Sequence, residues 1–233
     1  MTRTYSDFNT DLLKAQLDQL ADKTTAPDAY KEAMTLLGER LGEAVAAEIL
    51  DRASTLYLAC TVEDADYLAK GMLTTLERHL QSISLACFWN ERFSPFNVRD
   101  IKASPIIRKY TEPVSSTVTH LVIVKSIISG GCVVKTNLND LIQTINPEKI
   151  LIVAPVIYSG AEQRLAVEFE TSISEKFQFI YLAEDDERND TGEVIPGIGG
   201  MVYERLGFNG QEAKNKHVPE LVRTRRRQLV SNV

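Results

Sequence analysis

The chain of 233 residues begins with apolar positions at helical spacing. One apolar face in residues 7–52 consists of Leu12, Leu13, Leu17 and Leu20. A second helical pattern runs over 27–53 and contains Gly38 and Gly42. Because glycine weakens a helix interior, we expect a break near one of these glycines. The pattern therefore predicts a helical N-terminal segment over 1–52.

From residue 53 onward, short apolar runs alternate with helical patterns. Strands are predicted at 55–61, 83–89, 120–125, 149–157 and 177–184. Helices are predicted between them at 67–80, 133–145 and 159–173. Alternation of this kind is typical of an α/β fold whose parallel, Rossmann-like sheet is covered on both faces. The core is predicted to span 53–208.

Two regions depart from this alternation. Residues 90–117 contain three prolines and many charges, and they predict a flap or hood over the core. Residues 209–233 are polar and include the basic run 223–227, for which a solvated terminus is the simplest interpretation. A weak contact of this tail with an acidic partner or with nucleic acid is the alternative.

Ligands of parallel sheets lie beyond the carboxyl ends of the strands, where the loops 62–66, 88–94, 125–132 and 154–161 are expected. The most suggestive loop follows the run 121–124. A phosphate could be bound there by backbone N–H groups of Ser129, Gly130, Gly131 and Cys132 at the start of a helix. Lys125 at its edge would favour an anion.

Charge and composition exclude several classes of protein. The net charge of −6 and the pI of about 5.2 argue against binding of nucleic acid through a basic surface. The three cysteines lack zinc-ligand spacing, and their odd number fits a reducing cytoplasm. The start of the chain has no signal-peptide pattern, and no run is long enough to span a membrane. A cytoplasmic protein is therefore expected.

The loops, taken in order, resemble those of uracil phosphoribosyltransferase, a type I phosphoribosyltransferase-fold enzyme, over roughly residues 30–208. The most specific segment is D-D-E-R-N-D-T-G-E-V-I-P-G-I-G-G at 185–200, which is similar to the family's uracil-binding segment. The turn at 129–132 corresponds to the family's loop for phosphoribosyl pyrophosphate (PRPP). The resemblance implies base-binding residues at Val194, Ile195, Gly197, Gly199 and Gly200.

The charged positions of that family differ in this chain. The ribose-binding Asp corresponds to Val124 or Lys125, one Arg corresponds to Asp64, and a second Arg corresponds to Asn90. An acid beside a pyrophosphate costs on the order of 4 kcal/mol at 4 Å and an effective dielectric near 20. Ordinary PRPP-dependent transfer is therefore not expected with the family's geometry.

Three functions follow as hypotheses. The first is a divergent uracil phosphoribosyltransferase-like protein with a pocket for a nucleobase or nucleotide phosphate and non-standard phosphoribosyl transfer. Its candidate catalytic residues are Asp64, Asp66 and Lys125, expected to converge with Glu63 and Glu162. The second is an inactive homologue that senses nucleotide or serves as a partner subunit. The third is an active PRPP-dependent uracil phosphoribosyltransferase, with Asp185 and Asp186 as its spare acids.

The same residues also have purely structural interpretations. The acids of 62–66 suit a helix N-terminus, where dipole and capping favour Asp. His79, His120 and His217 form no recognisable catalytic motif. No metal site is predicted, and Mg²⁺ is expected only if PRPP is used. The resemblance implies a small-molecule nucleobase or nucleotide partner and a homo-oligomer, a dimer in the simplest case.

Overall fold

The computed structural model describes residues 3–7, 9–95, 103–114 and 117–231. Its strands are β1 Arg3–Tyr5, β2 Thr55–Thr61, β3 Ser82–Asn90, β4 Ile106–Thr111, β5 His120–Val124, β6 Ile127–Ile128, β7 Lys149–Tyr158, β8 Phe177–Asp185, β9 Glu187–Arg188 and β10 Val194–Ile195. Its helices are α1 Asp11–Ala21, α2 Pro27–Glu48, α3 Val62–Asp64, α4 Lys70–Leu76, α5 Cys132–Leu141, α6 Ala161–Ala166, α7 Thr171–Ser174, α8 Val202–Arg205, α9 Gly210–Lys216 and α10 Glu220–Ser231. A π-helical turn, Ala65–Ala69, joins α3 to α4.

The central sheet has the order β1-β8-β7-β5-β2-β3-β4, and β6 extends the pairing along β7. The five inner strands β8, β7, β5, β2 and β3 are parallel, whereas the edge strands β1 and β4 run antiparallel to their neighbours. The predicted α/β class with a mainly parallel sheet is confirmed. Each of the five predicted strands lies in this sheet. The apolar runs of β2, β5 and β7 are buried on both faces, whereas β8 is half-buried over much of its length.

Helices cover both faces of the sheet. One face packs against α1, α2, the helical segment of residues 62–76 and the start of α10, whereas the other packs against α5 and α6. The first core includes Leu17, Tyr30 and Leu68, and the second includes Leu138 and Leu165. The carboxyl ends of β2, β3, β5 and β7 therefore open toward one edge, as parallel strands require.

The N-terminal helices form as predicted, but α2 differs in one respect. It runs unbroken from Pro27 to Glu48, so the expected break near Gly38 or Gly42 was wrong. Both glycines are buried against the segment 65–76: a Cβ at Gly38 would lie 2.2 Å from the carbonyl oxygen of Leu68. The glycines thus permit a close helix crossing rather than ending the helix.

Two segments contain more structure than their composition predicted. The predicted flap, 90–117, includes the edge strand β4, although residues 96–102 and 115–116 lie outside the described part. The polar tail folds into α9 and α10, and the half-buried Arg225 makes an ion pair with the buried Glu112 (Nη2–Oε2 2.6 Å). The tail therefore packs onto the core. None of the helices in the described ranges has the length and apolarity to cross a membrane.

Candidate functional site

A buried cluster of opposite charges lies at the carboxyl ends of β2 and β5. We call Glu63, Asp64, Lys125 and Lys214 the strand-end ion cluster. Lys125 Nζ lies 2.6 Å from Asp64 Oδ2 and 3.4 Å from Glu63 Oε1, and both Asp64 and Lys125 are almost fully buried. Two of the three candidate catalytic residues therefore meet in one place.

Asp64 is saturated by donors. Its Oδ2 also accepts a hydrogen bond from the Thr61 hydroxyl at 2.6 Å, and its Oδ1 accepts one from the Ser126 amide at 3.2 Å. Asp64 stands at the position that corresponds to an Arg in the family it resembles. Its charge is balanced by Lys125, which follows the neighbouring strand β5. Because Lys125 neutralises Asp64, this acid does not leave an unpaired negative charge near the turn of residues 129–132.

Glu63 has a buried side-chain oxygen that no hydrogen bond of the described residues satisfies. This atom is Oε2, and the nearest cation, Lys214 Nζ, is 4.0 Å away. Burial by itself would raise the pKa of Glu63, but attraction to Lys125, Lys214 and Arg92 prevails and lowers it to about 2. Glu63 is therefore an ionised carboxylate with a free acceptor oxygen.

Lys214 was missed by the sequence analysis. It comes from α9, is 3% exposed, and donates a 2.6 Å hydrogen bond to the carbonyl oxygen of Asn90. Burial lowers its pKa, and attraction to Glu63 only partly offsets this. A lysine in a polar C-terminal segment gives no local signal that it will be buried, so only the tertiary fold reveals it.

A pH dependence of stability follows from Glu63. A carboxyl pKa lowered from its usual 4.5 to about 2 stabilises the fold fully above 4.5, and the contribution is lost as the pH falls through 2. We therefore expect Glu63→Gln to be less stable than the wild type near neutral pH. The difference should narrow as the pH falls from about 5 to about 3, as measured by urea unfolding.

The matched control for that experiment is Glu32→Gln, which removes an exposed glutamate of α2. Its stability should run parallel to that of the wild type over the same pH range. A constant difference between Glu63→Gln and the wild type would show that Glu63 is not held ionised by its neighbours.

Asp66, the third candidate catalytic residue, faces away from the strand-end ion cluster. Its Oδ2 lies 3.3 Å from His217 Nε2, and its Oδ1 accepts a hydrogen bond from the Leu221 amide at the start of α10. Burial raises its pKa, but these hydrogen bonds outweigh it and leave the pKa lowered. Asp66 thus ties the C-terminal segment to the core through the first turn of α10. It does not cap the helical segment that follows it in sequence, which the capping interpretation had expected.

Glu162 does not join the strand-end ion cluster either. It lies in the first turn of α6, where burial and the charge of Glu184 raise its pKa. Of the five side chains expected to converge, only Glu63, Asp64 and Lys125 do so.

The turn of Ser129, Gly130 and Gly131 leads into the ten-residue helix α5, of which Cys132 is the first residue. Gly131 caps the helix with φ 73°, a left-handed conformation that suits glycine, and the helix start has no side-chain cap. A Cβ on Gly130 would meet nothing within 4 Å, so the turn is open at this residue. These features suit an anion at the helix start, and the predicted phosphate role of the four residues stays a prediction.

The loop at 194–200 packs against the N-terminal segment. The Gly197 amide donates to Asp185 Oδ2 at 2.8 Å, and Arg3 bridges Asp185 to the Gly197 carbonyl oxygen. A Cβ on Gly199 would lie 2.4 Å from the Leu20 carbonyl oxygen. Gly197 and Gly199 are therefore needed for packing, and Gly197 already uses its backbone groups. Asp185 is occupied by Arg3 and is not a spare acid.

The remaining predicted positions of this loop are Val194, Ile195 and Gly200. Val194 is buried, whereas Ile195 and Gly200 are half-buried. The loop leads directly into α8, which lies against α3 and so reaches the helix that carries Glu63. The base-binding role of the loop remains a prediction.

Asn90, at the position of a family Arg, has a structural partner. Asn90 and Asn137 exchange side-chain hydrogen bonds of 2.8 and 3.1 Å, which tie β3 to α5. Beneath them, Thr61, Lys125 and Asn137 contribute to a crevice that has no room for a water molecule. This crevice is thus tightly packed. The described residues contain no group of acids, histidines and cysteines suited to a metal ion.

The structure is that of an α/β protein with a site of charged and polar residues at the strand ends. Comparison with known proteins identifies a solved structure of similar fold. No family model matches the sequence, and no curated protein matches it. The AQ2163 protein from Aquifex aeolicus is 15% identical, with a TM-score of 0.67 over 88% of this chain and 98% of that chain. This likeness shows a shared fold.

Phosphoribosyltransferases are also among the matching structures. The hypoxanthine-guanine phosphoribosyltransferase of L. donovani is 11% identical, with a TM-score of 0.42 over 68% of this chain and 81% of that chain. A hypothetical protein from Neisseria gonorrhoeae with bound ppGpp is 10% identical, with a TM-score of 0.40 over 67% and 82%.

Proposed function

We propose that this protein is a divergent, uracil phosphoribosyltransferase-like protein that binds a nucleoside monophosphate at the strand ends. The observation that carries the proposal is the buried, ionised Glu63, whose Oε2 accepts no hydrogen bond in the described residues. A buried acceptor without a donor is costly unless a ligand supplies one. Ribose hydroxyls and the N–H group of a pyrimidine are such donors.

The phosphate has a separate place in this proposal. The open Gly130 and the uncapped start of α5 offer backbone donors and the positive end of a helix dipole. Lys125 of the strand-end ion cluster lies four residues before Ser129, so it places one member of the cluster on the same short stretch of chain as the turn. In this proposal the base lies near the loop 194–200, which is connected through α8 to the helix that carries Glu63.

Transfer from PRPP is less well supported than binding. Both oxygens of Asp64 are engaged by Thr61, Lys125 and Ser126, so this acid does not fit a Mg²⁺ ion held by the protein. The inactive, nucleotide-sensing homologue is therefore the second candidate function. The active uracil phosphoribosyltransferase, with Mg²⁺ as part of its PRPP, remains the third, and dimer formation stays a prediction.

The binding proposal is tested by comparing UMP with uridine in calorimetry and thermal-shift measurements. We expect UMP to bind the wild type about tenfold more tightly than uridine, because charge-assisted hydrogen bonds contribute to phosphate binding alone. Gly130→Asp should weaken UMP binding about tenfold and leave uridine binding unchanged, since it places a like charge at the open turn.

Gly130→Asn is the matched control, with nearly the same shape and no charge, and it should bind UMP as the wild type does. Equal affinity for UMP and uridine in the wild type would refute the phosphate turn. Tight, Mg²⁺-dependent binding of PRPP without any binding of UMP would instead favour the active transferase.

A further inference from the structure

Two arginines approach one tyrosine ring at the carboxyl end of β7. The guanidinium carbon of Arg188 lies 4.1 Å from the centroid of the Tyr158 ring, and that of Arg164 lies 5.1 Å from it. Arg164 comes from α6 and Arg188 from β9, so separate elements deliver the two cations to the same place. We call Tyr158, Arg164 and Arg188 the β7-end arginine pair.

The position of Arg164 is held by the fold. Its Nη2 donates a 2.8 Å hydrogen bond to the carbonyl oxygen of Ser159. A Cβ on Gly160, which has φ 72°, would lie 2.9 Å from Arg164 Nη1, so the guanidinium occupies the space that the glycine leaves. The guanidinium is thus pre-positioned, which reduces the entropy lost on ligand binding.

Neither guanidinium has an acidic partner within the described residues. Among the other described arginines, Arg3, Arg40, Arg223, Arg225 and Arg227 each form an ion pair. Arg52, Arg108 and Arg205 instead donate to backbone carbonyl oxygens, as Arg164 does. Arg164 and Arg188 keep N–H groups that no protein group of the described ranges accepts, and both side chains are exposed. The acids Glu162 and Glu187 lie close to them along the chain, so the two guanidinium groups at the ring supply the positive charge of an otherwise acidic stretch.

The β7-end arginine pair adjoins the proposed phosphate turn. A Cβ on Gly131 would lie 3.2 Å from Leu165 Cδ1, so the turn packs on the residue next to Arg164. Guanidinium groups match the geometry of phosphate oxygens, and two of them can share one diphosphate.

From this placement we propose that Arg164 and Arg188 form a second anion subsite that takes the outer phosphate of a nucleoside diphosphate or inorganic pyrophosphate. This inference deepens the proposed function and, in its nucleotide form, rests on it. It predicts that the site prefers ligands with two linked phosphates to those with one.

The test compares UDP, UMP and inorganic pyrophosphate on the full chain by calorimetry. We expect UDP to bind the wild type about tenfold more tightly than UMP, and the double variant Arg164→Gln/Arg188→Gln to lose that preference. Arg226→Gln is the control, because Arg226 is an exposed arginine of α10 and no contact of it is described. It should keep the preference.

Equal affinity of the wild type for UDP and UMP would overturn the second subsite while leaving the monophosphate proposal intact. A preference for UDP that survives in the double variant would overturn it as well. If no nucleotide binds, the proposed function fails, and pyrophosphate decides the subsite alone. Pyrophosphate binding that the double variant loses and Arg226→Gln keeps supports the subsite, and its absence refutes it.

Discussion

Replacing Lys125 with methionine should lower the free energy of unfolding by about 3–5 kcal/mol, because it leaves buried carboxylates with one cation fewer. Asp64 is fully buried and Glu63 nearly so, and Lys125 lies within 3.4 Å of both. Methionine keeps most of the volume of lysine, so the lost stability comes from the missing positive charge rather than from a cavity. Urea unfolding near neutral pH measures it.

The control for this experiment is Lys135→Met. Lys135 pairs with Glu168, and both side chains are more than two-fifths exposed. Solvent screens such a pair, so its loss should cost less than about 1 kcal/mol. If the two variants lost similar amounts of unfolding free energy, the strand-end ion cluster would be hydrated rather than buried.

Replacing Gly38 with alanine should destabilise the protein by about 3 kcal/mol, the upper end of the usual cost of overpacking. Destabilisation is the informative result, because helix propensity alone would make the alanine variant more stable than glycine by about 1 kcal/mol. A Cβ at Gly38 would lie 2.2 Å from the Leu68 carbonyl oxygen, and backbone cannot turn aside as a flexible side chain can.

Two further glycine variants calibrate this result. Gly42→Ala should cost less, since its Cβ would lie 2.9 Å from the Met72 carbonyl oxygen. Gly130→Ala should be nearly neutral in stability, because nothing lies within 4 Å of the added atom. A Gly38→Ala protein as stable as the wild type would show that α2 and the 65–76 segment do not cross as closely as described.

Much of the architecture could be predicted because its signals are local. A continuous apolar run such as 149–157 is buried on both faces whatever its neighbours are, and β7 forms there. The edge strand β4 was not predicted, because most of its residues are exposed and its sequence I-I-R-K-Y-T has no continuous apolar run. Its formation depends on pairing with β3, which is a long-range event.

The candidate site divides in the same way. The order of the loops follows from the sequence, so Asp64, Lys125 and the turn at 129–132 could be assigned to one edge of the sheet. That Lys125 pairs with Asp64 could not be read from residues 61 positions apart. Lys214 and Arg3 lie still further from their partners along the chain, and their polar surroundings in sequence give no sign of burial.

By itself, the sequence determined the parallel α/β core, the helical N-terminal segment and the glycine turn before α5, because periodicity and turn chemistry act over a few residues. The tertiary structure alone decided which charges neutralise each other, which of Asp64 and Asp66 faces the strand ends, and which arginines stay unpaired. The physical reason is that electrostatic interactions depend on distance in space, and the fold brings together side chains from β1, β2, β5, β8 and α9 that are remote along the chain.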